Sequence, residues 1–154
     1  MTKKSLTLEK VQAYLYEHIP ITRHFGVNVD LFDGNTIHLS APLQKNINHR
    51  ETAFGGSISA VAILSGWILI HLRLMEKNLN CQLVIQKSSL HFKEPVDSDF
   101  QSICSIQNES DWDKYLRTLK KHRKARIRLQ STIQVEDRIL CTHEGVYVSI
   151  LRGS

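Results

Sequence analysis

Asn48-His49-Arg50-Glu51-Thr52-Ala53-Phe54-Gly55-Gly56-Ser57 leads into the stretch that decides the fold, a segment without Asp, Glu, Lys or Arg from Phe54 to Leu72. The segments on either side alternate apolar and polar residues, which is typical of half-buried strands. A long apolar helix among strands has only those strands to bury it. We therefore predict a central helix over residues 54–77 that is wrapped by a sheet.

A membrane-spanning helix is the alternative for this segment, since about 20 apolar residues cross a bilayer. Three glycines, three serines and His71 interrupt the segment, and its flanks alternate as strands of a water-exposed sheet do. We favour the buried core helix, and we expect no membrane partner.

Composition fits one globular domain over residues 1–154, because 42% of the chain is hydrophobic and 23% is charged. The N-terminal residues lack the apolar core of a signal peptide. Cys81, Cys104 and Cys141 lie far apart in strand-like segments, without a zinc spacing or a CxxC pair. Free thiols in a reducing compartment explain them, so we expect a cytoplasmic protein without a metal.

The net charge of +5 comes from one basic segment between residues 114 and 128, which contains no acid. Its cations are Lys114, Arg117, Lys120, Lys121, Arg123, Lys124, Arg126 and Arg128. Such a cluster indicates a negatively charged partner, either a phosphorylated cofactor, an acidic carrier protein or nucleic acid. A solvated face without a partner is the alternative.

The rest of the chain predicts a short N-terminal helix and six strands in an α+β order. Residues 1–20 contain apolar side chains at helical spacing, with Thr7 as N-cap and Pro20 as terminator. The other predicted elements are a hairpin of residues 25–31 and 36–40 around Asp33-Gly34, strands over 82–92 and 99–107, a short helix or excursion over 111–124, and strands over 125–136 and 140–150.

This order resembles the hotdog fold, in which a curled antiparallel sheet is wrapped around one long central helix. The pattern Asn48-x-x-x-Thr52-x-Phe54-Gly55-Gly56 resembles the signature of hotdog acyl-CoA thioesterases of the phenylacetate-pathway type. The Thr-Ala-Phe-Gly-Gly-Ser run of residues 52–57 and the Leu-Ser-Gly-Trp run of residues 64–67 resemble the thioesterase domain of the YiiD C-terminal family more closely. The likeness covers residues 19–151. It implies a homodimer, with a tetramer as the alternative, whose site is built between subunits.

Two positions depart from the phenylacetate-type pattern. Phe54 stands where those enzymes have His before Gly-Gly, and Ile63 stands where they place a helical Asp. No acid replaces that Asp within the helix before Glu76. The catalytic carboxylate of that type therefore has no counterpart here.

Thioester hydrolysis needs an oxyanion site, a group that places or activates water, and a slot for the acyl chain. The backbone N–H groups of Gly55 and Gly56 are unpaired at the positive end of the helix, so they are our candidate oxyanion site; close helix packing is the alternative. Asn48 holds water or substrate, or closes an Asx turn. Glu51 and His49 are the nearest titratable groups, and each is either a general base or an exposed loop residue.

Further residues are expected to contact the substrate. Ser57 either caps the helix or attacks, and the cap is favoured; Ser65 lines the acyl slot from inside the helix. Ser88 and Ser89 line the pocket or lie on the outward face of their strand. Thr52 and Phe54 complete the loop, and Lys124, Arg126 and Arg128 bind coenzyme A phosphates or an acidic carrier protein.

Our first hypothesis is a metal-free hydrolase of acyl-CoA or acyl-carrier-protein thioesters. Coenzyme A enters only as part of substrate or product, and no other cofactor is expected. The second hypothesis is a hotdog subunit that binds acyl thioesters, or dehydrates 3-hydroxyacyl ones, without hydrolysis. A nucleic-acid-binding module ranks third, because only Trp112 and Tyr115 accompany the cations as stacking residues and helix packing explains both.

Overall fold

Within residues 6–153, which a computed structural model describes, six antiparallel strands curl around one long helix. The helices are α1 (Leu8–His18), α2 (Ile21–Phe25), α3 (Gly55–Glu76) and α4 (Glu109–His122). The strands are β1 (Asn28–Phe32), β2 (Thr36–Ala41), β3 (Cys81–Phe92), β4 (Phe100–Ser105), β5 (Lys124–Val135) and β6 (Arg138–Leu151).

The sheet has the order β1-β2-β4-β5-β6-β3, so β3 is an edge strand whose one partner among residues 6–153 is β6. Alternate residues of β5 are buried, and β6 is buried at every position from Gly145 to Ser149; we call the side of the sheet that faces α3 its inner face. Val61, Ile68 and Leu69 of α3 are completely buried there. The α+β prediction of a curled sheet around one central helix, and with it the hotdog fold, is confirmed.

Helix α3 is long and apolar enough to cross a membrane by length and composition alone. Its most apolar 18-residue window is 61% buried inside the molecule. Burial of this extent is what a core helix shows, and it agrees with the interpretation that we favoured over a membrane span.

The first predicted hairpin begins later than its sequence pattern suggested. Phe25 ends the short helix α2, and Gly26 caps that helix in the left-handed region with φ of 69°. A Cβ at Gly26 would lie 2.9 Å from the Lys45 side chain, so glycine also allows a close approach. The predicted N-cap of α1 is confirmed, since Thr7 Oγ1 accepts from Lys10 N at 3.3 Å. Residues 1–5 of the predicted helix lie outside the described residues.

Helix α4 replaces β4 as the neighbour of the first half of β5. The β4–β5 pairing ends at Cys104 and Ser131, and the chain then turns into α4. Trp112 and Tyr115 are 1% and 3% exposed on the buried side of α4. This burial confirms that helix packing explains both aromatic residues of the basic segment.

Candidate functional site

The first turn of α3 presents two backbone N–H groups that have no acceptor in the described part of the chain, those of Gly55 and Gly56. The next two N–H groups, of Ser57 and Ile58, both donate to Phe54 O at 2.9 and 3.1 Å. Phe54 is the N-cap residue, and no side chain caps the helix. The positive end of α3 is therefore free to receive an oxygen atom of a ligand.

Two exposed phenyl rings flank the glycine pair. A Cβ at Gly56 would lie 2.9 Å from Cζ of Phe54, whereas a Cβ at Gly55 would meet the Phe92 ring at an ordinary 3.7 Å. Phe54 and Phe92 are 58% and 52% exposed. A cavity of about 340 Å³ lies beside Phe92, and its lining includes Gly55 and Ile58. The free N–H groups are thus bordered by apolar surface that suits a hydrocarbon chain.

The side chain of Asn48 is fully used within its own loop. Its Oδ1 accepts from Arg50 N at 2.8 Å and from Thr52 N at 3.2 Å, and its Nδ2 donates to Thr52 Oγ1 at 2.9 Å. This is the Asx-turn alternative, so the structure gives Asn48 and Thr52 a loop-closing role, with both lone pairs of Asn48 Oδ1 and one of the two Nδ2 protons used within the loop.

His49 and Glu51 are exposed, and their side chains have no hydrogen-bond partner among the residues described. Glu51 takes a positive φ of 62°. Asn46, which its sequence context did not indicate, is 3% exposed and donates to Phe25 O at 2.9 Å and to Pro42 O at 2.8 Å. Its own carbonyl accepts from Phe54 N at 2.7 Å. Asn46 therefore fixes the residue from which α3 begins.

The expected roles of two helix serines need correction. Ser57 does not cap α3, because the helix begins two residues earlier, at Gly55, and its N-cap is Phe54. Ser65 is completely buried, and its Oγ contacts Ala62 O and Ser102 Oγ at 2.8 Å and Ser131 Oγ at 3.1 Å. Its hydroxyl thus joins α3 to the sheet in the core and lines no cavity open to an acyl chain.

Ser88 and Ser89 lie on opposite faces of β3. Ser88 is exposed on the inner face, and its Oγ lies 2.8 Å from Nε2 of His143 on β6. His143 is 2% exposed, and no described residue bonds to its Nδ1. Burial lowers the pKa of His143, although the nearby Glu144 carboxylate opposes this shift. Ser89 lies on the outer face opposite Glu144.

His143 was also missed from the sequence. The one available signal was its position in β6, where a polar residue occupies the inward-facing series of Cys141, Gly145 and Tyr147. A histidine in such a series is buried and needs a polar partner. The sequence does not identify that partner, because Ser88 is 55 residues away.

The predicted phosphate-binding cations lie on the outer face of β5. A cavity of about 740 Å³ between α4 and β5 is lined by Lys114, His122, Lys124, Arg126 and Arg128, and we call it the basic groove. Arg128 also contacts Glu144 at 3.3 Å. The groove and the Gly55-Gly56 pair are therefore on opposite sides of the sheet in one chain.

The three cysteines are free, and burial makes their thiols poor nucleophiles. Burial raises the pKa of Cys104 to about 11, and it also raises the pKa of Cys81 and Cys141. Over residues 6–153, no group of three or more His, Cys, Asp or Glu side chains is arranged to hold a metal ion.

Comparison with known proteins gives one family and many solved structures of the same fold. The model of the family described as "Putative thioesterase (yiiD_Cterm)" matches residues 8–151. A crystal structure of a protein of unknown function from Chlorobaculum tepidum is 27% identical, with a TM-score of 0.89 over 97% of this chain and 100% of that one. A "putative thioesterase" from Shewanella oneidensis is 25% identical, with a TM-score of 0.83 over 93% and 96% of the two chains.

Proposed function

The chain belongs to the YiiD C-terminal family of putative thioesterases, and from this membership we propose that it hydrolyses acyl thioesters of coenzyme A or of an acyl carrier protein. One observation carries the proposal. The Gly55 and Gly56 N–H groups have no acceptor in the part of the chain that the structure describes, and they lie at the positive end of α3 between two exposed phenyl rings.

These donors suit the oxygen of a thioester carbonyl. When water attacks that carbonyl, negative charge develops on its oxygen, and fixed N–H donors stabilise the charge more than they stabilise the neutral carbonyl. The rings of Phe54 and Phe92 give the acyl chain an apolar surface. The acyl carbon then loses its sulfur, and a carboxylic acid and a thiol leave.

The basic groove is our proposed site for the anionic end of the substrate. Lys124, Arg126 and Arg128 supply the charge that coenzyme A phosphates or an acidic carrier surface would need. Because the groove is on the outer face, a ligand that also reaches Gly55 must pass a sheet edge or use the groove of a second subunit. We propose a homodimer in the cytoplasm, where the three free thiols stay reduced.

A subunit that binds acyl thioesters without hydrolysing them is the second candidate. It is favoured by the absence of any Asp or Glu in α3 before Glu76, since the usual helical carboxylate position holds Ile63. A dehydratase would need a His and an acid across the pocket, and Phe54 occupies the His position of the phenylacetate-type pattern.

The test is release of free thiol from acyl-CoA and acyl-carrier-protein substrates, short to long and including aryl ones. Gly55→Pro removes one N–H donor at the first position of α3, where proline is tolerated, and Phe54 already has the extended backbone that precedes proline. Gly55→Ala keeps the donor and adds a Cβ that meets only ordinary contacts, so it is the matched control.

We expect Gly55→Pro to lower kcat by about 100-fold or more, and Gly55→Ala to stay within a few-fold of wild type. Binding without turnover on every substrate would favour the second candidate. Neither turnover nor binding would contradict both.

A further inference from the structure

The proposed hydrolysis needs a group that accepts the proton of the attacking water. Helix α3 has no acid before Glu76, and the side chains of His49 and Glu51 are exposed without a hydrogen bond among residues 6–153 that would orient them. We propose that Ser88 and His143 form this proton-accepting pair, an inference that rests on the proposed thioesterase function. Their contact is the one hydroxyl–imidazole hydrogen bond among residues 6–153.

Ser88 and His143 differ in their exposure to solvent, and this difference gives each side chain a separate role in the proton transfer. Ser88 is exposed at the free edge of the sheet, whereas His143 is 2% exposed and meets Ser88 through Nε2 at 2.8 Å. Water therefore reaches the hydroxyl but not the imidazole, and a proton passes to His143 through Ser88. Nε2 accepts from Ser88 only in the neutral tautomer that carries its proton on Nδ1; burial favours the neutral form, and in the proposal His143 has this tautomer.

Gly145 makes room for the histidine ring. A Cβ at that position would lie 3.0 Å from Cε1 of His143 and 2.7 Å from Cε2 of Tyr147. The Tyr147 hydroxyl in turn donates to Ile63 O at 2.8 Å, which fixes its ring against α3. These contacts hold the His143 imidazole in one position, with Nε2 directed at Ser88 of β3.

The proton and electron transfers balance without a further reactant. The water oxygen bonds to the acyl carbon while one water proton moves to Ser88 Oγ and the original Ser88 proton moves to His143 Nε2. The C–S bond then breaks, and its electron pair remains on sulfur. The proton on His143 returns through Ser88 to that sulfur, which leaves as the free thiol.

A complete site needs two subunits. Ser88 is four residues from Phe92, whose ring borders Gly55, and four strand residues span about 13 Å. One carbonyl carbon therefore does not reach both Ser88 and the Gly55-Gly56 donors of the same chain. The edge of β3 has no strand partner among residues 6–153; in the proposed dimer a second copy adds to this edge and places its own helix N-terminus at Ser88.

Steady-state kinetics of Ser88 variants test the proton role. We expect Ser88→Ala to lower kcat at least about 100-fold with KM unchanged, because the hydroxyl acts on the attacking water and not on substrate binding. Ser88→Thr keeps a hydroxyl and is the matched control, which should restore most of kcat. His143→Gln should match Ser88→Ala; if it does not fold, the Ser88 variants decide.

Mixing two inactive variants tests the shared site. Equal amounts of Ser88→Ala and Gly55→Pro chains, refolded together, should regain about one quarter of wild-type activity, because half of the dimers are mixed and each mixed dimer has one intact site. Full activity of Ser88→Ala, or no recovery on mixing, overturns the proposal while hydrolysis by the wild type leaves the proposed function standing. A wild type that releases no thiol removes both.

Discussion

Residue 66 of the central helix has no side chain because Tyr147 occupies that space. A Cβ at Gly66 would lie 2.5 Å from Cζ of the tyrosine ring, which is completely buried and bonds through its hydroxyl to Ile63 O. Gly66→Ala should therefore lower the free energy of unfolding by about 1–3 kcal/mol through overpacking. Urea unfolding followed by circular dichroism measures this difference.

Helix propensity alone predicts that Gly66→Ala raises the free energy of unfolding, since Ala in a helix interior is favoured over Gly by about 1 kcal/mol. Gly55→Ala is the control, because its Cβ would meet only the Phe92 ring at 3.7 Å. It should leave stability unchanged or slightly raised. A Gly66→Ala protein that is more stable than wild type would contradict the packing role of Tyr147.

Single residues were predictable where the backbone alone defines their role. The free N–H groups of Gly55 and Gly56 follow from the helix start, which a glycine pair at the beginning of an apolar run indicates. His143 and Asn46 were not predictable, because their partners Ser88 and Phe25 are distant in sequence. The Ser57 cap failed because the helix starts at the glycines themselves.

Between elements, three buried hydroxyls join α3 to β4 and β5. Ser65, Ser102 and Ser131 are 0–2% exposed, and Ser65 Oγ contacts both of the others. Ser65→Ala leaves the buried Ser102 hydroxyl without its partner, whereas Ser131 Oγ keeps its contact with Ala62 O at 3.4 Å, so the variant should cost about 1–3 kcal/mol. The triple Ala variant removes all three hydroxyls together and should lie within about 1 kcal/mol of wild type. Denaturant unfolding of both variants measures these two differences in the free energy of unfolding.

The same variants test whether the Ser65 hydroxyl contacts the substrate or only joins α3 to the sheet. If its hydroxyl only joins helix to sheet, the triple variant keeps its kcat and KM on acyl thioesters. A triple variant as unstable as Ser65→Ala, or a folded one with an altered chain-length preference, would contradict the core role and return Ser65 to the acyl slot.

Helices and strands whose apolar residues recur at a clear period were predictable from the sequence, whereas short elements were not. The alternation of β5 is observed over Lys124–Val135, and the uncharged segment forms α3 over Gly55–Glu76. The alternation of Phe25 and Val27 suggested a strand, but Phe25 ends a one-turn helix that Gly26 terminates. A segment of five residues is too short for the spacing of its apolar residues to distinguish a helix from a strand.

In the whole molecule, the long edge of β3 has no strand partner among residues 6–153. This strand has 12 residues and pairs with β6 alone in the described part of the chain, and its Val84 and Phe92 are 44% and 52% exposed. A long edge of this kind pairs with another strand unless something covers it. The same edge presents Ser88, so the proposed dimer and the proposed shared site depend on one surface.

Charge at this edge should therefore abolish both assembly and activity. In analytical ultracentrifugation the wild type should sediment as a species of twice the 17.7 kDa of the chain, and the Val84→Glu/Phe92→Glu variant should sediment as a monomer, because charged side chains on an edge strand oppose its pairing with another strand. Ile139→Glu is the control, since Ile139 is also 44% exposed but lies on β6, which does not form this edge. A double variant that stays dimeric would place the interface elsewhere, and an active monomer would show that one chain completes the site.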